Sequence, residues 1–284
     1  MYGTSGIKHQ ARRFLKNNWG KAMAVLGVSL VVALIFTTIA QLYLLFVYPY
    51  LYPEIPSESN YNIRTLVLAI TALIAMPVYY FVRMFLEAPV HLGLLEWHYA
   101  LVSGDRAPFN LVFSYFQRGR YGRSINYALQ RFFRIYGWVV LVFAPTVLCA
   151  IASIVVEDAE AKFFLELASD LSFWLAAGGA IAIIIMINLR YFLVPYLIAG
   201  NPALPVTAAF RTSVRYMKGF KWQVASLWLS LLGCIILQAL GLPQLFVSPY
   251  INTCFANSAR WIIITNIEKE QIALNQGWEW QERF

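Results

Sequence analysis

Residues 22–53 read AMAVLGVSLVVALIFTTIAQLYLLFVYPYLYP, a run of 32 residues without a charged side chain. A helix needs about 20 apolar residues to cross the hydrocarbon core of a bilayer, so this run is long enough for one membrane span. Basic side chains favour the cytoplasmic side of a span, and aromatic rings favour the interface. Both kinds directly precede the run, at Arg13, Phe14, Lys16, Trp19 and Lys21. The stretch therefore predicts a membrane helix that starts at the cytoplasmic surface.

The composition of the whole chain also indicates that the protein lies in a membrane. Of 284 residues, 60% are hydrophobic and only 13% are charged, and the mean hydropathy is +0.60. A soluble domain carries about 25% charged residues, so this chain cannot cover a water-exposed surface in the usual way. The sequence predicts an all-α, polytopic membrane helix bundle. We expect no cleavable signal peptide, because the first apolar run is much longer than that of a signal peptide.

The charge-free stretches predict six spans in a single membrane domain. The last two are difficult to separate, since 38 uncharged residues lie between Lys221 and Arg260. Gly241 and Pro243 provide a break, because Gly tolerates unusual dihedral angles and Pro cannot continue a helix. A re-entrant hairpin would use the same residues and leave the chain on the same side. The predicted spans cover residues 22–47, 65–86, 135–156, 171–195, 222–240 and 244–264, and residues 266–284 form a short tail.

The charges of the connecting segments predict the orientation. The N-terminal segment and the loops after spans two and four are rich in Lys and Arg, whereas acidic residues dominate the loop at 157–170. Positively charged loops remain on the cytoplasmic side, so both termini are expected in the cytoplasm and the protein in the cytoplasmic membrane.

The basic segments that precede spans one, three and five are predicted to be short amphipathic helices on the cytoplasmic surface. Phenylalanine and tyrosine residues alternate with arginines over residues 109–133. A platform for single-stranded nucleic acid shares this composition, but the flanking spans favour lipid, and no nucleic acid partner is expected. The residues expected to contact anionic headgroups are Arg12, Arg13, Lys16, Arg118, Arg120, Arg123, Arg131, Arg134, Arg215, Lys218 and Lys221.

Polar side chains within the predicted spans, or at their ends, are candidates for a functional site. A charge at the centre of a bilayer costs roughly 2.5–3.5 kcal/mol on insertion scales. Arg83, Glu87 and His91 lie at i, i+4 and i+8 on one helical face, a pattern suited to proton handling or anion binding. The alternative is an ion pair that satisfies itself where the helix leaves the bilayer. The other candidates for a polar interior are Asn188, Arg190, Asn252, Asn257 and Arg260, although Asn also joins helices directly.

Signals for catalysis or metal binding are absent from the sequence. Cys149, Cys234 and Cys254 form no CxxC pair and are odd in number, so neither a disulfide framework nor a zinc site is indicated. The motifs of nucleotide-binding enzymes, metalloproteases and α/β hydrolases do not occur. We therefore expect no catalytic residue, metal or cofactor. The alternative is a membrane-embedded enzyme that uses Glu87 or Glu96.

Several short segments carry a resemblance to a known family. They are residues 191–199 (YFLVPYLIA), 201–202 (NP), 208–213 (AAFRTS), 217–219 (MKG) and 246–250 (FVSPY), with 18–22 (NWGKA) and 88–93 (APVHLG) earlier in the chain. Together they resemble an uncharacterised bacterial family of integral membrane proteins, domain of unknown function 975. The resemblance implies a multi-pass helical membrane protein of bacterial type and brings no established activity or catalytic residues.

Two functions are compatible with these features. The first is a non-enzymatic membrane protein whose basic cytoplasmic face engages anionic lipid or a protein partner. The second is a small transporter or channel with a polar site near Arg83, Glu87 and His91.

Overall fold

A computed structural model describes residues 3–51, 58–156, 158–238, 241 and 243–281. Within these ranges the regular structure is helical and contains no strand, so the all-α prediction is confirmed. A single 3-10 helix spans Phe109–Phe116. The α-helices are α1 (Thr4–Leu15), α2 (Trp19–Leu51), α3 (Glu58–Ser103), α4 (Tyr121–Val155), α5 (Ala159–Arg190), α6 (Val194–Gly200), α7 (Val206–Tyr216), α8 (Lys221–Ser230), α9 (Leu232–Gln238) and α10 (Gln244–Gln281).

The chain forms two compact units, each made of two segments. The first unit contains Met1–Ile125 and Ser230–Arg260, and the second contains Asn126–Leu229 and Trp261–Phe284. Helix α10 is continuous over Gln244–Gln281 and therefore contributes its first half to one unit and its second half to the other.

Helix α1 is amphipathic, as its sequence pattern predicts, but its apolar face meets protein. Ile7, Ala11 and Leu15 recur at helical spacing and are all buried, and α1 packs against α3 within the first unit. Arg12 and Arg13 lie on the exposed side. The sequence could not separate a lipid-facing from a protein-facing helix, because both environments select the same apolar stripe.

Among the described residues, three helical stretches are long and apolar enough to cross a membrane, in keeping with a membrane protein. They are Trp19–Tyr43, Tyr121–Cys149 and Phe163–Gly200, which contain the predicted spans one, three and four in whole or large part. Helices α8 and α9 form a bent pair, broken at Leu231, that qualifies as one further span or as a re-entrant loop. Predicted span two, residues 65–86, lies within α3, but most of its side chains are outside the described part of the structure.

The structure has the predicted break before span six, but the helix that follows the break is less apolar than a membrane span. Helix α10 begins at Gln244, directly after Pro243, and Gly241 adopts a left-handed φ of 78°. However, α10 is not among the helices apolar enough to cross a membrane. Ile251, Cys254 and Ala259 are buried within the protein. The helix also continues to Gln281, through most of the residues predicted as a tail.

Candidate functional site

In the first unit, two long helices each have one part whose apolar side chains are buried in the protein and one part whose apolar side chains are exposed. In α2, Val25 is completely buried, whereas Val31 and Leu34 are exposed. In α3 the order is reversed: Val82 is exposed, and most residues from Ala88 onward are buried. Because α3 has 46 residues and is about 69 Å long, it extends well beyond a hydrocarbon core of about 30 Å.

In the second unit, α4 and α5 show the same change. Tyr127 is buried, whereas Phe133 is 68% exposed, only six residues later. Met186 is 65% exposed, whereas Ile187 and the residues of α6 from Val194 to Ile198 are buried. Large apolar side chains exposed over several helical turns are unusual in water and ordinary in lipid. Each change therefore marks a candidate boundary between lipid and protein.

Arg83 and Glu87, the centre of the polar site predicted in α3, form an ion pair with each other at this boundary. The Nε and Nη2 atoms of Arg83 donate to the two carboxylate oxygens of Glu87 over 2.6 and 3.0 Å. Both oxygens of Glu87 thus accept hydrogen bonds from one guanidinium, as expected of a pair that satisfies itself at the end of a span. His91, one turn further along α3, is partly exposed.

The remaining predicted polar residues do not form one site with Arg83 and Glu87, and they make contacts elsewhere. In the first unit, Asn257 is buried in α10, and its amide donates to Gln10 Oε1 over 3.0 Å and to the carbonyl oxygen of Ile7 over 3.4 Å, which fastens α1 to α10. Asn252 and Arg260 are partly exposed on the same helix. Asn257 therefore acts in helix packing, the alternative role that Asn has between helices.

Arg131, Arg134 and Arg190 lie around an aromatic surface in the second unit, which we call the arginine cluster. The guanidinium carbon of Arg134 is 4.0 Å from the centre of the Phe210 ring and 5.5 Å from that of Tyr191. The guanidinium carbon of Arg190 is 6.0 Å from the Tyr191 ring. Cation–π contacts of this kind hold an arginine in place without neutralising its charge.

Neutral side chains orient the arginines of this cluster. Arg131 donates to Asn188 Oδ1 over 2.9 Å and to the hydroxyl of Tyr127 over 3.1 Å. Arg134 donates to Gln130 Oε1 over 2.9 Å. Asn188 therefore contacts an arginine of α4, 57 residues away in sequence, a pairing that spacing along the chain could not predict.

The residues predicted to contact anionic headgroups separate into two groups. Several have partners within the protein, such as Arg215, which forms an ion pair of 2.9 Å with Glu270, and Arg12, which lies over the Tyr250 ring. Others are exposed to solvent or lipid. The exposed group comprises Arg13, Lys16, Arg118, Lys218 and Lys221.

Glu96, which the sequence analysis did not place in the site, secures the 3-10 helix on α3. Its carboxylate accepts from the Ser114 hydroxyl over 2.7 Å and pairs with Arg120 at 3.2 Å, and its side chain is only 12% exposed. Burial raises the pKa of the neighbouring Tyr115 hydroxyl above its usual range. On the outer side, the rings of Phe109, Phe113 and Phe116 are about two-fifths exposed.

His98, a second residue that the sequence analysis did not place in the site, is a completely buried residue of α3 that contacts α10. Thr253 Oγ1 donates its proton to the carbonyl oxygen of Pro249 over 2.8 Å and is 3.0 Å from His98 Nδ1, so it accepts a hydrogen bond from that nitrogen. The Nε2 atom has no hydrogen-bond partner among the described residues. The ring is therefore neutral, and burial lowers the pKa of His98 to about 3.

A family model covers most of the chain. Residues 1–262 match the family described as protein of unknown function (DUF975). The chain belongs to this family. The family match confirms the resemblance seen in the short sequence segments, which include Gly93 and Tyr191. Comparisons with curated proteins and with solved structures each gave no significant match.

Proposed function

We propose that this member of the family is a membrane protein with four complete spans, in α2, α3, α4 and α5, and a re-entrant hairpin made of α8, α9 and the start of α10. The buried residues of α10 after Ser248 support this topology, since a lipid-facing span would expose apolar side chains instead. Within the hairpin, Gln238 Nε2 donates to Ser248 Oγ over 2.7 Å and so joins its two arms. The basic ends of the helices lie on the cytoplasmic side.

We further propose that the protein engages anionic lipid headgroups through its basic cytoplasmic side, without catalysis. The observation that carries this proposal is the coincidence of basic residues with the change from exposed to buried surface. Arg134 follows the exposed Phe133, and Arg190 lies three residues after the buried Ile187. A basic residue near an anionic leaflet gains about 1 kcal/mol, so a set of them gives a clear preference.

The preference can be measured with spin-labelled lipids on the full-length protein in bilayers. We expect labelled phosphatidylglycerol to enter the motionally restricted boundary layer several times more often than labelled phosphatidylcholine, and we expect added salt to reduce the difference. Changing Arg13, Lys16, Arg118, Lys218 and Lys221 together to Gln would lower the preference. Equal restriction of the two lipids by the wild-type protein would overturn the proposal.

The transporter alternative has weaker support. Its proposed site requires Glu87 to exchange a proton or Arg83 to bind an anion, but the two side chains already pair with each other through two hydrogen bonds. The broken pair of α8 and α9 resembles the discontinuous helices of transporters only in general form.

A further inference from the structure

The arginine cluster combines three positive charges, and no carboxylate of the described residues forms an ion pair with any of them. Among the described residues, ion pairs form at Arg83, Arg120 and Arg215, and none involves Arg131, Arg134 or Arg190. In the part of the chain that the structure describes, the oxygens that accept from Arg131 and Arg134 all belong to neutral groups. An isolated concentration of positive charge on folded protein is unfavourable unless an anion neutralises it.

The arginines are held in position rather than free in solution. The ring centre of Tyr191 is 5.5 Å from the guanidinium carbon of Arg134 and 6.0 Å from that of Arg190. The Phe210 ring stacks with Tyr127, and its centre is 4.0 Å from the guanidinium carbon of Arg134. Arginines that are already oriented lose less conformational freedom on binding, and a guanidinium binds phosphate through two parallel hydrogen bonds.

The location of the cluster selects the kind of anion. Arg134 directly follows Phe133, which is 68% exposed, and Arg190 follows the exposed Met186 by four residues. Arg134 directly precedes the uncharged residues 135–156, and Arg190 directly follows the uncharged residues 171–189. Stretches of 22 and 19 uncharged residues are about long enough to cross a membrane, so both arginines lie where the phosphates of a leaflet would be. Basic pockets between membrane helices on the cytoplasmic side are suited to anionic headgroups.

We propose that Arg131, Arg134 and Arg190 form a discrete binding site for the phosphate of an anionic phospholipid, with Tyr191 and Phe210 as its aromatic walls. This inference rests on the proposed function and deepens it, because it adds one discrete site of higher affinity to the general lipid preference. The phosphate binds between Arg134 and Arg190, and Arg131 adds charge from the preceding turn of α4. The acyl chains then lie along the exposed apolar surface of α4.

The test is titration of the purified full-length protein with phosphatidylglycerol in a neutral detergent, with bound lipid counted by native mass spectrometry. We expect Arg134→Gln together with Arg190→Gln to weaken the first binding step by about tenfold or more, since each arginine contributes about 1 kcal/mol. The matched control, Arg13→Gln with Lys218→Gln, removes the same charge from exposed positions and should change that step by less than about twofold.

A folding defect is separated from a binding defect with a single change. Arg190 is exposed, so Arg190→Gln alone should leave the thermal unfolding midpoint unchanged and still weaken binding by about threefold or more. Equal weakening by the site and control variants would overturn the discrete site and leave the general lipid preference intact. If wild-type protein binds phosphatidylglycerol and phosphatidylcholine equally, both proposals fail.

Inorganic phosphate distinguishes the two sources of the anion. We expect millimolar inorganic phosphate to compete poorly with phosphatidylglycerol, because a free anion makes no contact with the apolar surface of α4. Competition at equal concentration, lost in the Arg134→Gln and Arg190→Gln variant, would assign the site to a soluble phosphate and overturn the lipid assignment.

Discussion

The carbonyl group of Val112 packs against the Cα atom of Gly93 so closely that a Cβ atom at position 93 would lie 2.0 Å from the carbonyl oxygen. Gly93 belongs to α3 and Val112 to the 3-10 helix, and both are buried. The two helices therefore meet backbone to backbone. Only glycine permits this approach, since any other residue carries the Cβ atom.

Gly93→Ala should displace the 3-10 helix from α3. The obstructing atom belongs to backbone, which cannot rotate away as a side chain can, so we expect a loss of about 1–3 kcal/mol in stability. The measurement is thermal unfolding in detergent. Gly122→Ala in α4 is the control, because a Cβ atom there meets nothing within 4 Å and should be neutral or slightly stabilising. A Gly93→Ala protein as stable as wild type would contradict the close contact.

The pair Glu96–Arg120 should contribute more to stability than the pair Arg83–Glu87. Glu96 is 12% exposed and also accepts from Ser114, whereas Glu87 is 43% exposed. A double-mutant cycle on Glu96 and Arg120 should give a coupling free energy of about 1 kcal/mol or more. The same cycle on Arg83 and Glu87 should give about 0.3–0.5 kcal/mol, typical of an i, i+4 pair. The reverse order would show that burial of Glu96 is incomplete in the membrane-bound protein.

Acid should destabilise the protein through His98. The unfolded chain binds a proton at this residue below about pH 6.5, whereas the folded protein excludes it until about pH 3. Stability is therefore complete above pH 6.5 and falls as the pH decreases, by about 2 kcal/mol at pH 5. The loss should appear in unfolding midpoints measured between pH 7 and pH 5.

His98→Asn is the variant that isolates this effect. The asparagine amide can still reach Thr253 Oγ1 but does not titrate, so the variant should lose most of the difference between pH 7 and pH 5. His9→Asn, an exposed change in α1, serves as the control. An unchanged pH dependence in His98→Asn would mean that other groups cause it.

Asn257→Ala should loosen α1. The substitution leaves Gln10 Oε1 and the carbonyl oxygen of Ile7 without the amide that now donates to both, at a cost of about 1–2 kcal/mol. Faster amide hydrogen exchange over Thr4–Leu15 would reveal the loosening. Asn252→Ala, on the same helix but partly exposed, should leave this exchange unchanged. If both variants exchange alike, Asn257 does not hold α1.

The sequence predicts the helical class because apolar length and charge are local properties. The stretch at 22–53 and the break before Gln244 illustrate this, since each depends only on neighbouring residues. Whether an apolar face meets lipid or protein is decided by distant parts of the chain. For that reason the sequence indicated a span at 244–264 and an interfacial helix at the N-terminus, whereas residues of both are buried in the first unit.

The candidate site was predictable in composition but not in arrangement. Charge patterning identified Arg131, Arg134 and Arg190 as residues near a membrane boundary. Their grouping depends on the rings of Tyr191 and Phe210, which both contact Arg134. These two residues are 19 positions apart in the sequence and are separated by α6 and the first part of α7. The sequence carries no signal for the contacts of Glu96 and His98, because single acidic and histidine residues on a helix are common and the partners of these two lie on other elements.

The attachment of α1 to α10 has a consequence for biosynthesis. Gln10 and Asn257 are 247 residues apart, and a ribosome adds about 5–20 residues per second, so about 10–50 s separate the synthesis of the two. During that interval the apolar face of Ile7, Ala11 and Leu15 has no access to α10. The first helix must therefore rest on the membrane surface, or pack against α3 without the hydrogen bonds from Asn257, until that residue has been made. A truncated product that ends before α10 would lack these hydrogen bonds permanently and would hold its first helix less firmly.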